Sequence, residues 1–282
     1  MSKNKFIDKS MYGVFFLTAL ASVVAVIIIC VFLFLNGMPV FKEIGVINFL
    51  LGKEWFPMKG IFGIFPMIVA SIYVTAGAII IGVPIGIFCA MYLVMFADKG
   101  LYKLIKPGIN LMAGIPSIVY GFFGLMVILP IFNMMGINKS ILTASLLLGI
   151  MILPTIITVV ESSLRQVPDS YYKGALALGA TQERSAFMVM LPAAKSGILA
   201  GIALGIGRAV GETMAVVMIA GNQPLVPGSI FDGVRTLTSN IVLEMGYASG
   251  LHQQSLIATA VVLFVFILLI NLSFSLLKRK VD

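Results

Sequence analysis

The chain has 282 residues, 60% of them apolar and 11% charged, with a mean hydropathy of +1.10. Soluble domains carry roughly a quarter charged residues, so this composition excludes an ordinary water-soluble domain and points to a chain that crosses the membrane repeatedly. The single histidine, His252, excludes multi-histidine metal sites, and Cys30 and Cys89 each lie inside an apolar run, as small core hydrophobes do.

Runs of about 20 apolar residues predict six spans, near 12–35, 66–96, 109–134, 141–160, 197–220 and 255–277. The expected fold is therefore an all-α polytopic membrane protein: a short N-terminal segment, 1–11, then a single transmembrane domain, 12–282. The first run is too long for the apolar core of a signal peptide, and no small-x-small cleavage site follows it, so it reads as a retained anchor. Lysine and arginine counts set the orientation. Thirteen fall in the N-terminus, the second loop, the fourth loop and the tail, against five in the opposite loops. Both termini and the fourth loop are thus expected in the cytoplasm. This asymmetry accounts for the formal charge of +8 without any nucleic acid.

The first external loop, 36–65, holds the only tryptophan, Trp55. It reads either as an interfacial aromatic anchor or as a contact for an external partner. The second span carries Gly77, Gly82, Pro84 and Gly86, the third GIPSIVYGFFG and Pro130, and the fourth Pro154. Proline frees a backbone carbonyl and small residues let helices approach, so these positions serve close packing with a kink or contact a ligand. Glu161, at the cytoplasmic end of the fourth span, can pair with Arg165 four residues on.

The fourth loop, 161–196, predicts a rigid helix–turn–helix protrusion. Pro168-Asp169 opens the first helix, Gly179 supplies its left-handed cap, and Thr181 caps a second helix that breaks at Pro192. The fifth span then carries Arg208 and Glu212, the only charges deep inside an apolar run. At i and i+4 on one helix they share a face and can pair. Buried charge costs roughly 2.5–3.5 kcal/mol per residue even on insertion scales, so such residues mark a transport path more often than a structural pair. Arginine's planar fork suits an oxyanion. Gly201-x-x-x-Gly205 and Gly207-x-x-x-Gly211 read as packing faces for a second subunit. In the last external loop, 221–254, a short amphipathic helix with Val234, Leu237, Ile241 and Met245 on one face lies at the membrane surface or covers the mouth of the path.

ALALGATQERSAFMVMLPAAKSGI resembles the EAA loop of ABC-importer permeases. Leu178, Gly179 and Ala180 match its LGA, Leu191 and Pro192 its LP, and Gly197-Ile198 its GI. The EAA itself falls on Lys173, Gly174 and Ala175, so the acidic residue and first alanine are replaced. GIPSIVYGFFGL, MILPTI and GRAVGETMAVVMIAGN further resemble the PstC family of phosphate-importer permeases. That resemblance implies the type I (MetI-like) architecture and a bacterial or archaeal inner membrane, with inward passage of phosphate. It also implies a PstA-like sister permease, two copies of a PstB-like ATPase docked on the fourth loop and an external PstS-like binding protein. No G-x-x-x-x-G-K-[ST] occurs, so ATP and Mg²⁺ are expected on the partner ATPase, with no cofactor in this chain. Arg208 would attract the oxyanion, and Glu212 would hold Arg208 or read a proton that hydrogen phosphate has and sulfate lacks. The competing readings are a permease for sulfate or molybdate and a stand-alone channel or secondary transporter. An intramembrane enzyme is discounted, because the spans hold no catalytic pair or metal ligands.

Overall fold

The computed structural model describes residues 2–279, with side chains from 10 to 276. The basic residues counted at the two termini therefore fall outside the described side chains. The first helix, α1 (Ser2–Val40), runs on through a wide π turn (Phe41–Gly45) into Val46–Leu51. A small antiparallel hairpin, β1 (Trp55–Phe56) with β2 (Ile61–Phe62), follows it and turns at Gly60, whose φ of 72° is left-handed. The remaining helices are α2 (Phe65–Met95), α3 (Lys99–Gly114), α4 (Ser117–Asn133), α5 (Ile141–Gln166) and α6 (Asp169–Ala177), then α7 (Gln182–Ala193), α8 (Lys195–Gly211), α9 (Met214–Ile219), α10 (Leu237–Glu244) and α11 (Gly250–Arg279).

The stretch 10–51 and helices α2, α5 and α11 are each long and apolar enough to cross a membrane, and two bent pairs raise the number of spans to as many as six. One pair corrects the expected third span. At Ile115-Pro116 the chain turns through 103°, so 109–134 is not one helix. Ile115 is extended (ψ 126°), as a residue before proline prefers. The residues before the bend belong to α3, an amphipathic helix where a loop was expected; Asp98 caps it, accepting from the Leu101 amide at 2.7 Å. The other pair, α7 and α8, meets at 74° at Ala194, two residues beyond the expected break at Pro192.

The core is built on α5, the most buried of the spans. Glycines let α2 and α8 lie against it at backbone distance. A Cβ on Gly82 of α2 would sit 2.8 Å from the carbonyl oxygen of Gly149, and one on Gly205 of α8 would sit 3.0 Å from Ile156. The same seam includes Gly201, against Val159 and Val160. The face expected to meet a second subunit is thus used inside this chain for Gly201 and Gly205, whereas nothing lies within 4 Å of a Cβ on Gly207 or Gly211.

A second apolar cluster joins α1, the hairpin and α10–α11 through Phe49, Trp55, Phe62, Met67, Leu237 and Leu256. Trp55 is only 3% exposed, which overturns the reading as an interfacial anchor. Its indole N–H donates to Glu244 Oε2 at 2.8 Å, and the same carboxylate binds Arg235 and, at 2.8 Å, His252. A buried carboxylate needs such donors, and it draws the indole inward. The amphipathic helix of the last loop is correspondingly shorter than expected and turned inward. Val234 lies outside it, bridged to Gly221, while Leu237, Thr238, Ser239, Asn240 and Glu244 are buried.

Candidate functional site

The span that begins at α8 is interrupted at Glu212-Thr213. Glu212 leaves the helix with an extended backbone (φ −70°, ψ 128°), and its Oε1 accepts from the amides of Thr213 (3.1 Å) and Ala215 (3.3 Å). It thereby does for α9 what an N-cap residue does, satisfying amides that a helix start leaves unpaired. Arg208 and Glu212 do not share a helix face as expected, because the helix ends between them. They form no ion pair with each other among the described residues. Arg208 instead occupies the last turn of α8, where the helix dipole favours a cation. Its Nη1 donates to Thr155 Oγ1 of α5 at 3.0 Å. The rest of the guanidinium fork makes no hydrogen bond among the described residues. Non-helical backbone at membrane depth is tolerated where it is buried in protein or lines a cavity, and here it does both. A cavity of about 10 Å³ adjoins the break, walled by Ser71 and Thr75 of α2, Glu212, and Thr236 and Thr238 at the start of α10. Thr238 Oγ1 donates to the Glu212 carbonyl at 3.1 Å and ties α10 to the break.

The second cluster of expected site residues forms a protrusion. Helix α6 buries none of its side chains. It carries Lys173, Gly174 and Ala175 and ends in a two-bond cap: the Gly179 amide donates to Leu176 O (2.9 Å) and the Ala180 amide to Ala175 O (3.1 Å). Gly179 has φ +85°, the left-handed conformation expected of it. The cap thrusts Leu178 into the open, 92% exposed. Thr181 then caps α7, accepting from the Arg184 amide at 3.3 Å, again as expected. Leu191 and Pro192 lie in the last turn of α7; they do not line the neighbouring cleft of about 450 Å³, whose walls include Pro168, Tyr171 and Ala193. Lys173 pairs with Asp169 at 3.3 Å on the solvated face.

Residues 82–282 match the family described as binding-protein-dependent transport system inner membrane component. The chain belongs to this permease family. A probable ABC transporter permease protein of Bacillus subtilis, YqgH, is 37% identical over 93% of this chain and 89% of that protein. The phosphate transport system permease protein PstC of Mesorhizobium japonicum is 34% identical over 79% of this chain and 75% of that one. A chain from an inward-facing structure of the MetNI methionine ABC transporter overlays with a TM-score of 0.60 at 20% identity, covering 81% of this chain and all of that one. The MetI-like importer-permease fold expected from the motifs is therefore the observed one. Like the rest of its family, this permease is a multi-pass inner-membrane transport component and not an enzyme.

Several residues of the candidate site were not legible from charge alone. Thr155, Ser71 and Thr75 are hydroxyls inside apolar runs, and single hydroxyls there are common. Their signal lies in contact with α8 and α10, which come from far along the chain. A third polar cluster, at the end of α5, was only half foreseen. Glu161 does pair with Arg165 (3.0 Å), but it also accepts from Lys106 Nζ (2.7 Å) and the Tyr102 hydroxyl (2.8 Å), both on α3.

Proposed function

We propose that this chain is the permease subunit of an ATP-driven importer for inorganic phosphate, passing the anion inward by alternating access. The observation that carries the reading is Arg208: a cation at a break in a membrane span, held by one hydrogen bond to Thr155, with donors left to receive an oxyanion. Phosphate as the substrate is supported by relatives named as phosphate transport permeases. Glu212, four residues further on at the same break, selects for an oxyanion that still has a proton to donate, as hydrogen phosphate has and sulfate has not.

In this reading both termini and the α6–α7 protrusion lie in the cytoplasm. Leu178 and the residues around it receive force from two copies of a PstB-like ATPase, which hold the ATP and Mg²⁺. A PstA-like sister permease completes the path, and a PstS-like protein delivers phosphate from outside. The test is ATP-dependent uptake of labelled phosphate by vesicles holding all four components, with excess sulfate present and each component omitted in turn. Arg208→Ala should lower uptake at least tenfold, since each hydrogen bond to a charged group is worth about 1.5–3 kcal/mol. Glu212→Gln should admit sulfate as a competitor. Uptake by this chain alone overturns the importer reading; sulfate competition in the unaltered importer moves the substrate.

A further inference from the structure

The cavity beside the α8 break has a lining that a packing defect does not need. Thr75 is 7% exposed, lines the cavity, and makes no hydrogen bond among the described residues. A threonine in a helix ordinarily bonds back to the preceding turn, as Thr259 does to Ser255 O at 2.9 Å. Thr75 leaves that bond unmade. Ser71, one turn earlier and 5% exposed, accepts from the Leu237 amide at 3.0 Å, and its own proton has no acceptor among the described residues. Two hydroxyls with donor bonds unmade thus line one cavity together with Glu212. Buried polar groups are almost always hydrogen-bonded, so unmade bonds facing one cavity point to a ligand.

We infer that this cavity is a second oxyanion subsite, one turn past Arg208, in which Ser71 and Thr75 donate to the anion's unprotonated oxygens and Glu212 accepts from its P–OH group. The inference rests on the phosphate reading above and adds the residues that would discriminate. At about 10 Å³ the cavity holds about one water, far less than a tetrahedral oxyanion needs, so the subsite is shut in this conformation. Its cover is α10. The start of that helix is pinned by Leu237 N–H to Ser71 and by Thr238 Oγ1 to the Glu212 carbonyl. Lifting α10 releases Ser71 from that bond and widens the cavity in one movement.

The experiment uses the complete reconstituted importer at saturating phosphate-loaded binding protein. Thr75→Val removes the hydroxyl at nearly constant shape and should slow phosphate uptake about tenfold or more, the loss of one hydrogen bond to a charged group. Thr75→Ser should stay within about twofold, since it keeps the donor. In a chain with Cys30 and Cys89 replaced by alanine, Thr75→Cys should react with a small thiol reagent during turnover, and phosphate should slow that reaction. Unchanged uptake in Thr75→Val, or equal losses in Thr75→Val and Thr75→Ser, overturns the subsite while leaving the importer reading intact. Thiol modification indifferent to phosphate does the same. Import of sulfate in place of phosphate by the unaltered complex overturns the substrate reading, and the proton-accepting role of Glu212 with it.

Discussion

Glu161 shows how much of a residue's environment comes from outside its own helix. It is buried at the end of α5 and accepts from Arg165, Lys106 and Tyr102, and the Arg165 guanidinium lies 5.0 Å from the centre of the Tyr102 ring. The Lys106 and Tyr102 contacts come from 55 and 59 residues away and hold α3 against α5. Removing one partner of a buried pair strands the others, at about 3–5 kcal/mol for full burial, whereas an exposed pair is worth little. Glu161→Ala should therefore lower the stability of the purified chain by about 3 kcal/mol, and Asp169→Ala, which breaks the solvated pair with Lys173, by under about 0.5 kcal/mol. Thermal unfolding in detergent compares the two, and equal shifts would show that α3 is held by apolar contacts alone. The i,i+4 rule found Arg165 because that pair is local. The same rule misassigned Arg208 and Glu212, since a helix end between them is not visible as charge spacing.

At the scale of elements, the breaks in the helices, which hold the candidate site, were the least legible part. The protrusion is the exception. Its turn chemistry is local, so Gly179 and Thr181 could be placed from the sequence and sit as placed. A β-branched residue at φ +85° strains the backbone by about 1–2 kcal/mol and opens the cap that aims Leu178 outward. Gly179→Val should leave the chain inserted in the membrane while hydrolysis by the partner ATPase no longer drives uptake, measured as ATPase rate against transport in the same vesicles. Normal coupling would remove the protrusion from the drive train. Helix α3 escaped notice for the opposite reason. Its lysines, Lys99, Lys103 and Lys106, were counted as loop charges, although their spacing and the Asp98 cap are those of an amphipathic helix. The bend at Ile115-Pro116 was hidden inside a continuous apolar run, where hydropathy registers length and not direction.

The whole molecule was read correctly as a set of apolar helices because membrane thickness constrains them so strongly. What hydropathy could not supply is which loops fold back into the protein. Trp55 was assigned to the membrane surface by its residue type, yet it donates to Glu244, 189 residues later in the chain. That separation orders events in time. When the hairpin leaves the ribosome, neither Glu244, Arg235 nor His252 has been made, so the indole waits without its acceptor through the insertion of four further helical stretches. Trp55 is also the only tryptophan, and its emission becomes a clock for the last step of assembly. Chains ended before Arg235 should emit to the red of the full-length protein, and the blue shift should appear only once the chain extends through His252. Equal emission from both would mean that the hairpin buries its tryptophan unaided, and that this half of the molecule is finished before the rest is born.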